Sequence, residues 1–269
     1  MNANSDSVLS GRVGYEYDYR FSIVDADEIS SVYKFFLDPK LKYFLFEFRT
    51  SFILKSKTDE GKHDLTDSER YDLRVPQIGG DLSIYFRTYR RLDDYWMTED
   101  EMKLLSSEAF DFAKQMAAKP EHALLNLIPI AVEIDVCTVQ QEAETYDACL
   151  GRAIRPQNMV PLYLWVSFTS VEERKPMTPR LITFLLHLPR IRVEDIEKGL
   201  ALMEECSICS EMTKVGAQIS VLQCGHAFHS HCVVGWLEDN RLCPTCKSPA
   251  YERRFDYGPP FKRLRPCDG

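Results

Sequence analysis

The chain has 269 residues, 45% of them hydrophobic and 28% charged, which excludes wholesale disorder and leaves room for a medium domain plus a small one. Its 33 basic and 41 acidic residues give a formal net charge of −8, which argues against nucleic acid as the main partner. The longest apolar stretches, 124–137 and 181–188, are short or broken by Asn126, Glu133 and His187, below the roughly 18 residues of a membrane-spanning helix, so no membrane role is expected.

The first ten residues carry neither a basic start nor an apolar run. No secretory leader is expected, and the cytosol or nucleus is the expected compartment, with its thiols reduced. Residues 1–190 read as an α+β domain. Tyr15, Tyr17, Tyr19, Phe21 and Ile23 alternate with polar residues at the period of a half-buried strand, and Phe44, Phe46 and Phe48 repeat the pattern in a segment running to Lys55. The polar stretch 57–81, with Pro76 and Gly79-Gly80, predicts a long exposed loop, and Ile84, Phe86 and Thr88 predict a third strand. Tyr85, Phe86, Arg87, Tyr89, Arg90 and Arg91 mix aromatic and basic side chains as an RNA-binding strand can, but read better as an exposed strand face.

Thr98 followed by three acidic residues predicts a helix N-terminus, with Met102, Leu105, Ala109, Phe112, Ala113 and Met116 at helical spacing and Pro120 just beyond. Ile130, Val132, Ile134 and Val136 predict a strand, 140–150 a short helix, Leu162, Leu164, Val166 and Phe168 another strand, and 181–188 a shorter one. Residues 172–180 read as a hinge or loop. Residues 191–204 read as a linker helix on Val193, Ile196, Leu200 and Met203, 205–250 as a compact small unit, and 251–269 as a polar tail in which Lys262, Arg263, Leu264 and Arg265 read as solvated. His63, His122 and His187 are expected to be structural, and Cys137 and Cys149 to be buried thiols.

Six of the nine cysteines fall between Cys206 and Cys246, together with three of the six histidines. They form four short pairs: Cys206/Cys209, Cys224/His226, His229/Cys232 and Cys243/Cys246. An odd cysteine count with interleaved histidines fits disulfides poorly, and iron–sulfur clusters favour cysteine-only spacing. Eight such ligands make two tetrahedral zinc sites with no open coordination position, so zinc-activated hydrolysis is disfavoured.

The order Cys-Cys-Cys-His-His-Cys-Cys-Cys, with Ile208 inside the first pair, Leu222 before Cys224, Phe228 before His229, Trp236 after Cys232 and Pro244 inside the last pair, resembles the RING finger of the two-histidine type (RING-H2). A PHD finger carries one histidine and an aromatic residue two positions before the seventh ligand, where this chain has Arg241. The resemblance implies a cross-brace in which Cys206, Cys209, His229 and Cys232 hold one structural zinc ion and Cys224, His226, Cys243 and Cys246 hold the other. It makes His231 a surface bystander. It also implies a ubiquitin ligase with no catalytic residue of its own, whose partners are a ubiquitin-conjugating enzyme, ubiquitin and a protein substrate. Ile208, Trp236 and Pro244 match the family's shallow groove for the conjugating enzyme. Lys247 stands where many active relatives have an arginine that joins the conjugating enzyme to ubiquitin. The alternative reading is a non-catalytic zinc module for protein interaction or dimerisation. Residues 1–190 carry no phosphate-binding loop, dinucleotide fingerprint or nucleophile elbow, so they are expected to recruit substrate or set the oligomeric state.

Overall fold

The computed structural model describes residues 12–24, 41–56, 63–78, 82–164 and 177–251. The N-terminal unit is α+β. Its four strands are β1 (Tyr15–Ile23), β2 (Tyr43–Lys55), β3 (His63–Pro76) and β4 (Leu127–Val139), in the order β1-β4-β2-β3. β1 and β4 are antiparallel, as are β2 and β3, but β2 and β4 run parallel. A parallel neighbour requires a long return connection. Here it contains β3 and two helices, α1 (Leu82–Asp94) and α2 (Glu99–Ala117).

Alternation decides which face the helices cover. Tyr15, Tyr17 and Tyr19 of β1, Phe44, Phe46, Phe48 and Phe52 of β2, and Ile130, Val132, Ile134 and Val136 of β4 are buried under α1 and α2. Phe110 packs edge-on against Phe44 at 5.7 Å, Tyr95 against Phe52 at 5.5 Å, and the Tyr17 hydroxyl donates to the Tyr95 carbonyl at 2.8 Å. The opposite face is laced with ion pairs, among them Arg20–Glu133 (2.5 Å), Arg70–Glu47 (2.5 Å) and Lys55–Glu16 (2.9 Å). The more exposed of these pairs, such as Arg20–Glu133, each add little, about 0–1 kcal/mol, whereas the Glu47 carboxylate is buried. α2 starts as expected: the Thr98 side chain accepts from the Glu101 amide and the Glu101 carboxylate accepts from the Thr98 amide, a reciprocal cap.

Several expectations fail, each for a local reason. Most of the stretch expected as a loop over 57–81 is β3. Its exposed face is polar, and only Tyr71, Leu73 and Val75 show the buried alternation. The third strand expected at Ile84, Phe86 and Thr88 is α1. Ile84, Tyr85, Thr88, Arg91 and Leu92 are buried at helical spacing while Phe86 is 72% exposed, so Phe86 misled the reading and the exposed-strand view of 85–91 falls with it.

The strand expected at 181–188 is helix α4 (Pro179–His187), with Leu181 and Leu185 facing inward, Thr178 as N-cap and Pro179 at the first turn. The helix expected at 140–150 begins later, as α3 (Tyr146–Arg152), capped by Thr145. Leu162–Leu164 forms a 3-10 turn instead of a strand. Val166, Phe168, the 172–176 part of the expected hinge and the tail beyond 251 lie outside the described residues. The Nδ1 atoms of His122 and His187 pair with nearby carbonyls, Met116 O and Thr183 O, as structural histidines do, and Cys137 and Cys149 are buried.

One buried polar group anchors the helical layer. The Arg91 side chain, 2% exposed, forks onto Glu69 of β3 and donates to Asp94 at 3.2 Å and to the Val160 carbonyl at 2.8 Å. The Tyr95 hydroxyl also donates to Glu69.

The C-terminal unit holds β5 (Ile191–Arg192), helix α5 (Ile196–Leu202), β6 (Gln218–Val221), β7 (Ala227–His229) and helix α6 (Ser230–Asp239), with the strands in the order β5-β6-β7. Its apolar side chains Met203, Ile219, Leu222, Phe228, Val233 and Leu237 are continuous with the core of the N-terminal unit. Among the described residues, no helix is long and apolar enough to cross a membrane.

Candidate functional site

Two cysteine loops of the C-terminal unit are built alike. In the first, the Ser210 amide bonds the Cys206 carbonyl (2.7 Å), the Cys206 amide bonds the Glu211 carbonyl (3.0 Å), and a bridge joins Glu205 to Met212. In the second, the Lys247 amide bonds the Cys243 carbonyl (3.1 Å), the Cys243 amide bonds the Ser248 carbonyl (2.8 Å), and a bridge joins Leu242 to Pro249. Ser210 and Lys247 both sit at φ +59°, a left-handed conformation that is strained without glycine, by about 1–2 kcal/mol. That kink folds the chain back after the second cysteine, so that the carbonyls of Glu211 and Ser248 meet the amides of Cys206 and Cys243. Gly225, at φ +85°, turns the chain between Cys224 and His226 in the same way at no steric cost.

The eight side chains gather into two sets, Cys206, Cys209, His229 and Cys232, and Cys224, His226, Cys243 and Cys246, and within each set the ligand atoms lie within 4.8 Å of one another. The pairs therefore interleave: residues 224 and 226 of one set lie in sequence between the two halves of the other. Nδ1 of His229 is 3.4 Å from the Cys209 sulfur, and Nδ1 of His226 is 3.4 Å from the Cys224 sulfur. That is close to the edge of a tetrahedron with Zn–S near ~2.3 Å and Zn–N near ~2.0 Å. Three thiolates and one imidazole suit zinc, and the two sets fit two zinc ions with no free position for water.

The local electrostatics favour the thiolate at Cys206, Cys224 and Cys246 and oppose it at Cys232 and Cys243. Hydrogen bonding from Cys232, helped by the ring and amide of His229 and the amide of Ile208, holds the Cys206 thiol far below its usual range despite burial, while Cys232 is pushed up, first by that same pairing. A bound ion displaces the proton they share. The Ser248 hydroxyl, 3.0 Å from the Cys246 sulfur, holds that thiol down. Ser248 escaped the sequence reading; its only signal is a small hydroxyl two places after a ligand.

His231 joins neither set, but it is no surface bystander. It is half-buried against the turn at Asn158, stacks on His229 at 5.5 Å, and is pushed down to about 4, chiefly by burial. It lines a cavity of about 530 Å³ between residues 147–159 and the first metal loop.

The other predicted side chains converge on one side. The Ser207 and Thr245 hydroxyls are 3.3 Å apart, so the loop bearing Ile208 abuts the loop bearing Pro244. The Trp236 indole, on α6, donates to the Leu242 carbonyl at 2.9 Å. The Lys247 ammonium donates to the Pro244 carbonyl at 2.7 Å and lies 5.6 Å from the Trp236 ring centre. Ile208, Trp236 and Pro244 are each partly exposed, and Lys247 is exposed.

The family model described as "Ring finger domain" matches residues 204–247. Residues 204–247 are a RING-H2 zinc finger. Relatives include E3 ubiquitin-protein ligase RNF149 of Mus musculus, 37% identical over 37% of this chain and 24% of the relative, and E3 ubiquitin-protein ligase RNF126-B of Xenopus laevis, 34% identical over 27% of this chain and 23% of the relative. RING finger protein 24 of Homo sapiens is 37% identical over 23% of this chain and 46% of that protein. The match thus spans less than half of each of these relatives. The crystal structure of the RING-H2 domain of Arabidopsis RMR1 matches 25% of this chain and 85% of that one at 32% identity, with a TM-score of 0.24.

Proposed function

We propose that the protein is a RING-type ubiquitin ligase. The observation that carries the reading is that the loops bearing Ile208 and Pro244 abut, with Trp236 bonded to Leu242 just ahead of the second loop, on two interleaved ligand sets; we assign these three partly exposed side chains as the docking face. Both zinc sites are closed, so the metal acts as structure alone. The chain binds the conjugating enzyme through that face, and a substrate lysine attacks the ubiquitin thioester carbonyl. An isopeptide bond forms, the carbon–sulfur bond breaks and the conjugating enzyme's thiol is released. The RING contributes proximity and a restricted set of ubiquitin orientations. Residues 1–190 serve as the substrate-recruiting or oligomerising domain, ahead of the RING at 205–250; the segment 191–204, read from the sequence as a linker helix, is instead β5 and the short helix α5, with β5 paired to β6 of the C-terminal unit. The names of the relatives support the same reading.

Ubiquitin discharge with purified activating and conjugating enzymes tests it. Ile208→Ala removes a central apolar anchor and is expected to lower discharge at least about tenfold. Two zinc ions should remain bound, because the side chain is not a ligand. Full activity of that variant across a panel of conjugating enzymes overturns the docking face.

Lys247 gives a second test. Its ammonium is a point donor held by Pro244 O and the Trp236 ring, whereas arginine at the same backbone position presents a planar fork able to bridge two partners. Lys247→Arg is expected to speed single-turnover discharge onto free lysine by a factor of about five, ~1 kcal/mol of barrier. Lys247→Ala is expected to slow it with zinc retained. Equal rates for the three proteins mean that this position does not orient ubiquitin.

A further inference from the structure

A RING on a free linker would pivot, and this one is fastened at both ends. Before the first ligand, the Arg192 guanidinium donates to the Gly216 carbonyl (2.6 Å) inside the C-terminal unit and to the Asp93 (2.6 Å) and Asp94 (3.0 Å) carbonyls at the end of α1. Those carbonyls are the negative end of a helix, where a cation is most stabilising. Arg190 lies 3.8 Å from Asp94 Oδ1, an oxygen that accepts no hydrogen bond, and Asp94 is also held by the buried Arg91. The Trp96 ring is flanked by the guanidinium groups of Arg12 (5.1 Å) and Arg192 (5.6 Å), and Arg12 also pairs with Glu194.

Gly216 closes the contact. It has φ +88°, and a Cβ there would lie 3.1 Å from the Trp96 ring and 3.3 Å from the Tyr15 hydroxyl, so only glycine fits easily. After the last ligand, Tyr251 packs on Phe184 of α4 at 5.0 Å. Two separated attachments, with a common core between them, remove the pivot.

We infer that Arg192 is a positioning residue which, with Gly216 and Trp96, locks the RING against the N-terminal unit and so fixes where the conjugating enzyme stands relative to residues 1–190. The inference rests on the proposed ligase function for its consequence, though not for its geometry. A fixed stance limits which lysines, on a bound substrate or on the chain itself, reach the thioester. None of the docking residues takes part in the lock, so loosening it should leave the chemistry alone while blurring the choice of lysine.

The test uses the full zinc-loaded chain and Arg192→Ala. Amide exchange around 93–97 and 214–217 is expected to quicken at least about tenfold, from the loss of three charge-assisted hydrogen bonds. Discharge onto free lysine should stay within about twofold of the parent, because the barrier is unchanged. The lysines modified in self-ubiquitination, mapped by mass spectrometry, should become more numerous and more evenly used. Unchanged exchange, or an unchanged lysine map, overturns the lock. A fall in free-lysine discharge with zinc retained overturns it too, because Arg192 would then be shaping the RING itself. Should Arg192→Ala lose zinc, Arg192→Lys decides: it keeps the charge but not the three-carbonyl fork, and it must show an intermediate exchange rate and map. If the parent protein transfers no ubiquitin, the ligase reading fails, and the exchange result still decides the lock.

Discussion

Cys206→Ser is expected to strip at least one zinc ion from the protein and to unfold the loops around it. Cys206 is fully buried, and its ion ties residues 206–209 to 229–232, the two sides of the small core that contains Phe228 and Val233. Structural zinc contributes about 10–16 kcal/mol of apparent binding energy in small zinc-finger units, far more than so small an apolar core supplies alone. The strands β1 to β4 should persist, since Phe46, Phe48, Tyr71 and Ile130 are buried among themselves and under α2. The shared core adds a second effect: helices α4 and α5 should also lose exchange protection. Elemental analysis and amide exchange check this. Two zinc ions per chain in folded Cys206→Ser protein would contradict the ligand assignment.

The largest effect in the N-terminal unit is expected at Arg91. Arg91→Met leaves the buried Glu69 carboxylate without a cation and Asp94 with only the more distant Arg190, at 3.8 Å; the two carboxylates are 6% and 0% exposed. Removing one partner of a buried ion pair costs about 3–5 kcal/mol. A domain of this size has about 5–15 kcal/mol in total. The denaturation midpoint should fall sharply with zinc still bound at 206–246. Adding Glu69→Leu should recover part of the loss, because the stranded carboxylate goes with it. A midpoint shift corresponding to less than about 1 kcal/mol would mean that water reaches the site and the pair is ordinary.

The C-terminal unit was legible because metal ligation is written in spacing. Each pair of ligands has to sit two to four residues apart to reach one ion, and few other structures need that pattern. The N-terminal unit was legible only where burial is one-sided. Tyr15 to Ile23 and Ile130 to Val136 alternate cleanly because one face of each strand is wet. Over 84–95 the reading failed because Phe86, an exposed aromatic, completed a false period of two with Ile84 and Thr88, while the true partners Ile84, Thr88, Arg91, Leu92 and Tyr95 include a buried arginine that no hydrophobic pattern counts. At 178–188 the signs of a helix were present, a threonine followed by proline, and the apolar run outweighed them. Arg192 carried no signal at all. Its three acceptors are backbone carbonyls from distant segments, and carbonyls have no letter in a sequence.

The parallel register of β2 with β4 has a consequence for biosynthesis. β1 pairs with β4 and with no other described strand, Tyr15 opposite Thr138 and Ile23 opposite Ile130. On the ribosome, β2, β3, α1 and α2 must all be made before that partner exists, a delay of about ten seconds at ordinary elongation rates. Through that interval the β2–β3 hairpin can close by itself, but the row Tyr15, Tyr17, Tyr19 and Phe21 waits unpaired. The charges alternating with it, Glu16, Asp18 and Arg20, are the kind of gatekeepers that keep a nascent strand from pairing with a neighbour's. Neutralising them should therefore show itself first as aggregation during synthesis, before any loss of stability in the finished molecule.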